Sequence, residues 1–182
     1  TGYTSHLYGI HGTATDNIWV GGGRVYHYNG SVWSEVDPDA PTITDLFSFG
    51  ESDTWAVGYD AKIFHFDGAW SEISHGVSTP YMFNGVWGTS SSDVYAVGGN
   101  GDAIIHDGGA GFEATGVSGT LYSINGTDPD NLYATGANGR VLHLGPGGWV
   151  EETACEAETL YGSWVAPSGW AYAVGNSGTI VR

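Results

Sequence analysis

Four acidic residues and four histidines recur at matched places along this chain: Asp16 with His27, Asp53 with His65, Asp93 with His106, and Asp130 with His143. A carboxylate beside an imidazole supports three kinds of chemistry. It orients a general base, it helps ligate a metal, or it ties two segments together by a hydrogen bond. A catalytic dyad needs a nucleophile and appears once, not four times. A metal centre needs more ligands than one His and one carboxylate. The structural bond fits the repetition, because each Asp precedes one strand and each His ends the next. A fifth copy loses both partners together, with Ser168 and Arg182 at the two places.

A second set varies where its neighbours stay constant in type: His11, Phe49, Trp87, Asn125 and Trp164. Each closes the first strand of its unit. If those strands line an axial channel, the five ring one mouth of it. They then either plug the channel as packing or form a polar-aromatic pocket for a ligand. A third set lies in glycine-rich loops: Asp37, Asp39, Tyr59, Asp60, Asn100, Asp102, Asn138, Glu156, Glu158 and Asn176. Carboxylates and carbonyls in such turns suit Ca²⁺, although neither EF-hand spacing nor a nonapeptide calcium repeat is present. No other cofactor is implied. There is no Gly-x-Ser-x-Gly, no phosphate loop and no paired catalytic carboxylates, so the chain reads as a non-enzyme.

The elements that carry these residues follow from a repeat. An aromatic, two further residues and a glycine recur as Trp19 to Gly22, Trp55 to Gly58, Tyr95 to Gly98, Tyr133 to Gly136 and Tyr172 to Gly175. The steps between aromatics are 36, 40, 38 and 39 residues. In the third unit, short apolar runs at 83–88, 94–98, 103–106 and 111–114 are separated by Ser, Asp and Gly clusters. Four short strands in about 40 residues, repeated, is the pattern of a β-propeller blade. The sequence therefore predicts an all-β chain of about five blades of four antiparallel strands. The units are 7–44, 45–81, 82–119, 120–158, and 159–182 together with 1–6, in a single domain over 1–182. The last blade is incomplete, lacking the counterpart of residues 107–114. Either the five blades form a ring whose last blade has three strands, which the near return of register favours, or the chain is a segment of a longer array.

Composition narrows the partners. The chain has 182 residues, of which 31 are Gly and eight are Trp, with 41% hydrophobic and 13% charged residues. Twenty acidic residues face only Lys62, Arg24, Arg140 and Arg182, for a net charge of −16. Phosphate backbones and anionic membrane surfaces need clustered cations, so nucleic acid is excluded as a partner. No apolar run approaches the roughly 20 residues of a membrane helix, so membrane insertion is not expected. Cys155 is the only cysteine, so no internal disulfide forms.

The unit Trp-Gly-Thr-Ser-Ser-Ser-Asp-Val-Tyr-Ala-Val-Gly-Gly-Asn-Gly, then Asp102 and Ala103, then Ile-Ile-His-Asp-Gly, covers residues 87–108. It resembles β-propeller repeats of bacterial secreted and surface proteins, loosely related to the Asp-box and YCF48-like propellers. The chain has no Ser-x-Asp-x-Gly-x-Thr-Trp of a true Asp-box, and it lacks the Gly-His and Trp-Asp pair of WD40 repeats. The resemblance implies an extracellular, cell-surface or periplasmic protein that binds or scaffolds, and some small five-bladed propellers are lectins. The expected function is a non-catalytic binding module with repeated weak carbohydrate sites. The alternative is a structural or adhesion propeller that binds a surface protein.

Overall fold

A computed structural model of the chain describes residues 5–36, 39, 41–75, 81–99, 103–106, 119–153 and 157–182. They form eighteen strands in five antiparallel sheets. The first sheet holds β1 (Leu7–Ala14), β2 (Asn17–Gly22), β3 (Val25–Tyr28) and β4 (Trp33–Glu35). The second holds β5 (Ile43–Gly50), β6 (Asp53–Gly58), β7 (Ile63–Phe66) and β8 (Trp70–Glu72). The third has β9 (Phe83–Ser90), β10 (Asp93–Gly98) and β11 (Ala103–His106). The fourth has β12 (Leu121–Asp128), β13 (Asn131–Gly136), β14 (Arg140–Gly145) and β15 (Gly148–Thr153). The fifth has β16 (Leu160–Val165), β17 (Ala171–Gly175) and β18 (Ile180–Val181). Each sheet is a meander in which sequence neighbours pair. The predicted fourth strand around Phe112 lies outside the described residues. No described helix is long and apolar enough to cross a membrane.

The residues gather into two compact units, 1–86 and 87–182, with the boundary inside β9. In the first unit, Trp19, Val25, Ile43, Leu46, Ala56 and Phe64 form one buried cluster, and Val36, Phe66 and Trp70 pack against it. Period-2 alternation explains it: Trp19 and Val25 lie on one face of the first sheet, and Leu46, Ala56 and Phe64 on the facing side of the second. In the second unit, Leu121, Ile124, Leu132, Ala134, Leu142, Leu160 and Ala173 are buried in the same pattern.

The first strands β1, β5 and β12 each run to a bulged hairpin, whereas β16 ends at Val165 without one. The register shifts between Gly12 and Ala14, between Ser48 and Gly50, and between Gly126 and Asp128. A second bulge near the start of the first strand leaves Tyr8, Thr44, Tyr122 and Tyr161 out of register. A bulge re-aims the side chain it carries. The Tyr122 and Tyr161 rings lie 5.1 Å apart.

The repeated glycine has a steric cause. A Cβ at Gly22, Gly58, Gly136 or Gly175 would overlap the carbonyl oxygen of His6, Thr42, Thr120 or Thr159. In each case that carbonyl accepts a hydrogen bond from the residue after the glycine, at 2.9–3.0 Å. The glycine lets the second strand's end close onto the segment that enters the first strand. Gly136→Ala is expected to lower stability by about 2 kcal/mol, the cost of forcing an extra carbon into a closed backbone contact. Gly147→Ala, in open space, should change it by less than about 0.5 kcal/mol. Urea unfolding of the two variants checks this.

Candidate interaction face

In four of the five units the position two residues before the repeated aromatic opens the second strand: Asn17, Asp53, Asp93 and Asn131. It shares a face with the aromatic and with the residue opposite it on the third strand. Asp53 Oδ1 meets His65 Nε2 at 2.9 Å. In the first sheet the partner is Asn17, not Asp16. Asn17 Oδ1 lies 2.8 Å from His27 Nε2 and accepts the Trp19 indole N–H at 3.0 Å, while its amide donates to Thr13 Oγ1. Asp16 is exposed in the turn. Asp130 is likewise exposed, its backbone N–H donating to Asp128. In the fourth sheet Asn131 takes that position and its amide donates to Thr127, but it makes no bond to His143, whose Nδ1 lies 3.3 Å from Glu152 on β15 and whose Nε2 is buried with no partner among the described residues. Asp93 accepts from the Thr89 and Tyr95 hydroxyls. The register sets Ile105, not His106, opposite Tyr95, and the His106 side chain lies outside the described residues. The Asp nearest the turn is therefore one position too early in two units, because only even spacing keeps two side chains on one face.

The histidines also stack on the repeated aromatics. Ring centroids are 4.2 Å apart for Trp19 and His27, 4.5 Å for Trp55 and His65, and 4.3 Å for Tyr133 and His143. Each is a directly opposed cross-strand pair. Burial holds the His27 imidazole below its usual value, against a small upward pull from Glu51. Burial and the Asp93 carboxylate push the Tyr95 phenol up.

The five residues expected at a channel mouth do something different. His11 Nδ1 accepts the Ser48 backbone N–H at 3.1 Å, and Asn125 Oδ1 accepts the Val165 N–H at 2.8 Å. Two positions earlier, Asp45 Oδ2 accepts the Val86 N–H at 3.0 Å and Ser123 Oγ accepts the Ser163 N–H at 3.0 Å. These polar side chains hook one first strand to the next. The residue equivalent to His11 in the second sheet is Phe47, opposite Trp55, and not Phe49. Phe49 sits at the bulge, the place where Thr13 and Thr127 bond the asparagine opening the next strand. Phe47 packs on both His11 and Phe49, with centroids at 4.1 and 5.2 Å. Trp87 is buried against Tyr95. Only Trp164 is open to solvent, 55% exposed.

Sequence reasoning missed Asp45. An Asp between Thr44 and Leu46 inside an apolar strand is the available signal, since Asp is depleted there. Desolvation raises its carboxyl to about 6 against the opposing backbone bonds from Val86 and Leu46. Among the described residues no three His, Cys, Asp or Glu gather to hold a metal. Asp60 and Asn138 of the proposed calcium loops are the left-handed residues of one-turn 3-10 helices, at φ 56° and 58°. Asp37, Asn100, Asp102 and Glu156 lie outside the described residues.

The fifth sheet carries an open face. Trp164 is opposite Tyr172, and Val174 is opposite Ile180. Tyr172 holds the place of Trp19 and Trp55 in the repeat, and Val174 that of Val57. Those earlier residues are at most 2% exposed, whereas Tyr172, Val174 and Ile180 are 36%, 52% and 75% exposed. Trp170 stands beside them, with the Arg182 guanidinium 3.8 Å over its ring.

No family model and no curated protein matches the chain. Many solved structures do, two of which follow. One, described as YCF48 bound to D1 peptide, superposes with a TM-score of 0.74 at 18% identity, over 98% of this chain and 65% of that one. The other, the RRP9 WD40 repeats, gives a TM-score of 0.74 at 11% identity, over 100% of this chain and 64% of that one. The fold is that of a β-propeller. The chain spans less than two thirds of the length of either structure. Within the propeller repeat, then, the His–aromatic stacks tie second strand to third inside a sheet, and the first-strand hooks tie one sheet to the next. Among the described residues the fifth sheet leaves its aromatic and aliphatic face open.

Proposed function

We propose that this propeller is a non-catalytic binding module whose partner is a protein. The observation that carries the reading is the exposed face of Trp164, Tyr172, Val174 and Ile180 with Trp170 at its margin. A contiguous aromatic and aliphatic surface of this kind marks a protein-binding site. The propeller solved with a D1 peptide supports the same class of partner. The net charge of −16 favours a partner with cationic groups and steers its approach. The carbohydrate reading draws on the Tyr122–Tyr161 ring pair beside Ser123 and Ser163. The open face itself offers sugar hydroxyls few polar groups. A surface or periplasmic location follows from the resemblance of the repeat.

A displayed peptide library panned against the chain tests this, with a glycan array of the same preparation run with calcium and with chelator. Peptides are expected to enrich on the chain, and the variant Trp164→Ser with Tyr172→Ser should retain them at least about tenfold more weakly. Saturable glycan binding with no peptide enrichment would overturn the proposal.

A further inference from the structure

Asn-Gly pairs occur along the chain at 29–30, 84–85, 100–101, 125–126 and 138–139. Asparagine followed by glycine can close a ring on its own backbone, because glycine puts no Cβ in the way of its nitrogen. Whether it does depends on how each amide is held, and the structure separates the pairs.

Asn29 Oδ1 accepts the Ser31 and Val32 N–H groups at 3.1 and 3.0 Å. Asn125 lies inside β12 opposite Tyr133, and its Oδ1 accepts the Val165 N–H at 2.8 Å. Asn84 lies inside β9, where pairing with β10 fixes its backbone. The pair at 100–101 lies outside the described residues.

Asn138-Gly139 is held by none of these. It forms the tip between β13 and β14. Asn138 is exposed, and its side-chain amide makes no hydrogen bond among the described residues. Its φ is 58°, and that of Gly139 is 70°. Two successive left-handed residues make the tight hairpin turn that favours Asn-Gly. The Arg140 N–H closes it by donating to the Ala137 carbonyl. The counterpart turns carry Asp60-Ala61 and Ser177-Gly178 at the same two places. Asp60, at φ 56° and ψ 27°, shows that an aspartate adopts this conformation.

We infer that Asn138 is a site of spontaneous covalent modification, at which the side-chain amide is lost and the turn converts to a mixture of aspartate and isoaspartate. The Gly139 nitrogen gives its proton to solvent base and attacks Asn138 Cγ. The new C–N bond closes a five-membered succinimide, the Cγ–Nδ2 bond breaks, and ammonia leaves with a proton from water. One water then opens the ring. Addition at Cγ restores the ordinary backbone with aspartate in place. Addition at the main-chain carbonyl leaves the chain running through the side chain, as isoaspartate.

The two products differ in consequence. Aspartate fits the turn as Asp60 does. Isoaspartate adds a methylene to the backbone of a two-residue turn, and that turn sets the β13–β14 register, with Thr135 opposite Val141. The Ala137 N–H bond to the Thr120 carbonyl, at 2.9 Å, holds the same segment. Isoaspartate therefore loosens this end of the fourth sheet, whatever partner the propeller binds.

The test incubates the whole chain at mildly alkaline pH and follows each Asn-Gly pair by peptide mapping with mass spectrometry. An isoaspartate-specific carboxyl methyltransferase counts the isoaspartate. Conversion at Asn138 is expected to run at least about tenfold faster than at Asn29 or Asn125, which must first give up hydrogen bonds. The aged chain should unfold at lower urea, in proportion to its isoaspartate content. Asn138→Asp should unfold where the fresh wild type does. Asn138→Gln, whose longer side chain does not readily close the ring, should keep its own starting midpoint through the incubation. Conversion at Asn138 no faster than at Asn29 and Asn125 would overturn the site. An unchanged midpoint in isoaspartate-bearing chains would overturn its effect on the fourth sheet.

Discussion

Trp19→Ala is expected to lower the unfolding free energy by about 4 kcal/mol, the cost of truncating a fully buried indole. Trp19 has no exposed surface. It stacks on His27, meets Phe66 at 4.9 Å and Trp70 at 5.9 Å, and donates its N–H to Asn17. Alanine leaves a cavity that these rings cannot close, since each is fixed by its own strand. Total stabilities of single domains run to about 5–15 kcal/mol, so the first unit should lose much of its margin. Trp19→Phe keeps most of the volume and removes the donor, at an expected cost of about 1–2 kcal/mol. The comparison that decides the argument is Tyr172→Ala. It alters the same repeat position in a sheet whose face is open, and should cost about 1 kcal/mol or less. Chemical unfolding of the three variants checks the ordering. Equal losses at Trp19 and Tyr172 would mean that the fifth-sheet face is covered in solution.

That contrast shows what the sequence carries and what it does not. Periodicity and glycine clusters suffice for the sheets, because short strands bounded by turns are local features. The repeated glycine is legible as punctuation, but its cause, a carbonyl from the residue entering the first strand, is a contact some sixteen residues away, as between Gly136 and Thr120. The Asp–His pairing is legible in kind and shifted in position. Asp16 and Asp130 attract notice by their charge, while the neutral Asn17 bonds His27 and Asn131 holds the matching register position in the fourth sheet. Residues predicted to surround a ligand, His11 and Asn125, instead spend their acceptors on the backbone of the next strand. Such hooks depend on which strand lies alongside, which no local pattern encodes. Exposure at Tyr172 against burial at Trp19 is invisible for the same reason: both are the aromatic of the same repeated motif, and the exposure depends on what covers the sheet.

Asp45→Asn is expected to stabilise the first unit above pH 6 by about 3 kcal/mol and to change little near pH 3.5. The sign follows from the direction of the shift. The folded carboxyl titrates at about 6 rather than 3.8, so between those values the folded chain holds a proton that the unfolded chain has released. Stability therefore falls as pH rises through that window, and the full cost is present at pH 7. Desolvation is the cause, and the backbone bonds from Val86 and Leu46 offset only part of it. Asparagine reproduces the neutral acid: its oxygen still accepts the Val86 N–H, and no charge remains to be desolvated. The repeat already contains such a solution, since Ser123 makes the equivalent bond to Ser163 with an uncharged oxygen. Asp45→Ser should therefore follow the same pH profile with a smaller gain. Urea titrations of the wild type and both variants at half-unit steps from pH 4 to 8 give the difference directly, and the remaining carboxylates cancel in it. A difference that stays flat across this range would show that Asp45 is ionised in the folded chain at every pH tested. The hook to Val86 would then be a charge-assisted bond, and removing its charge would cost stability instead of restoring it.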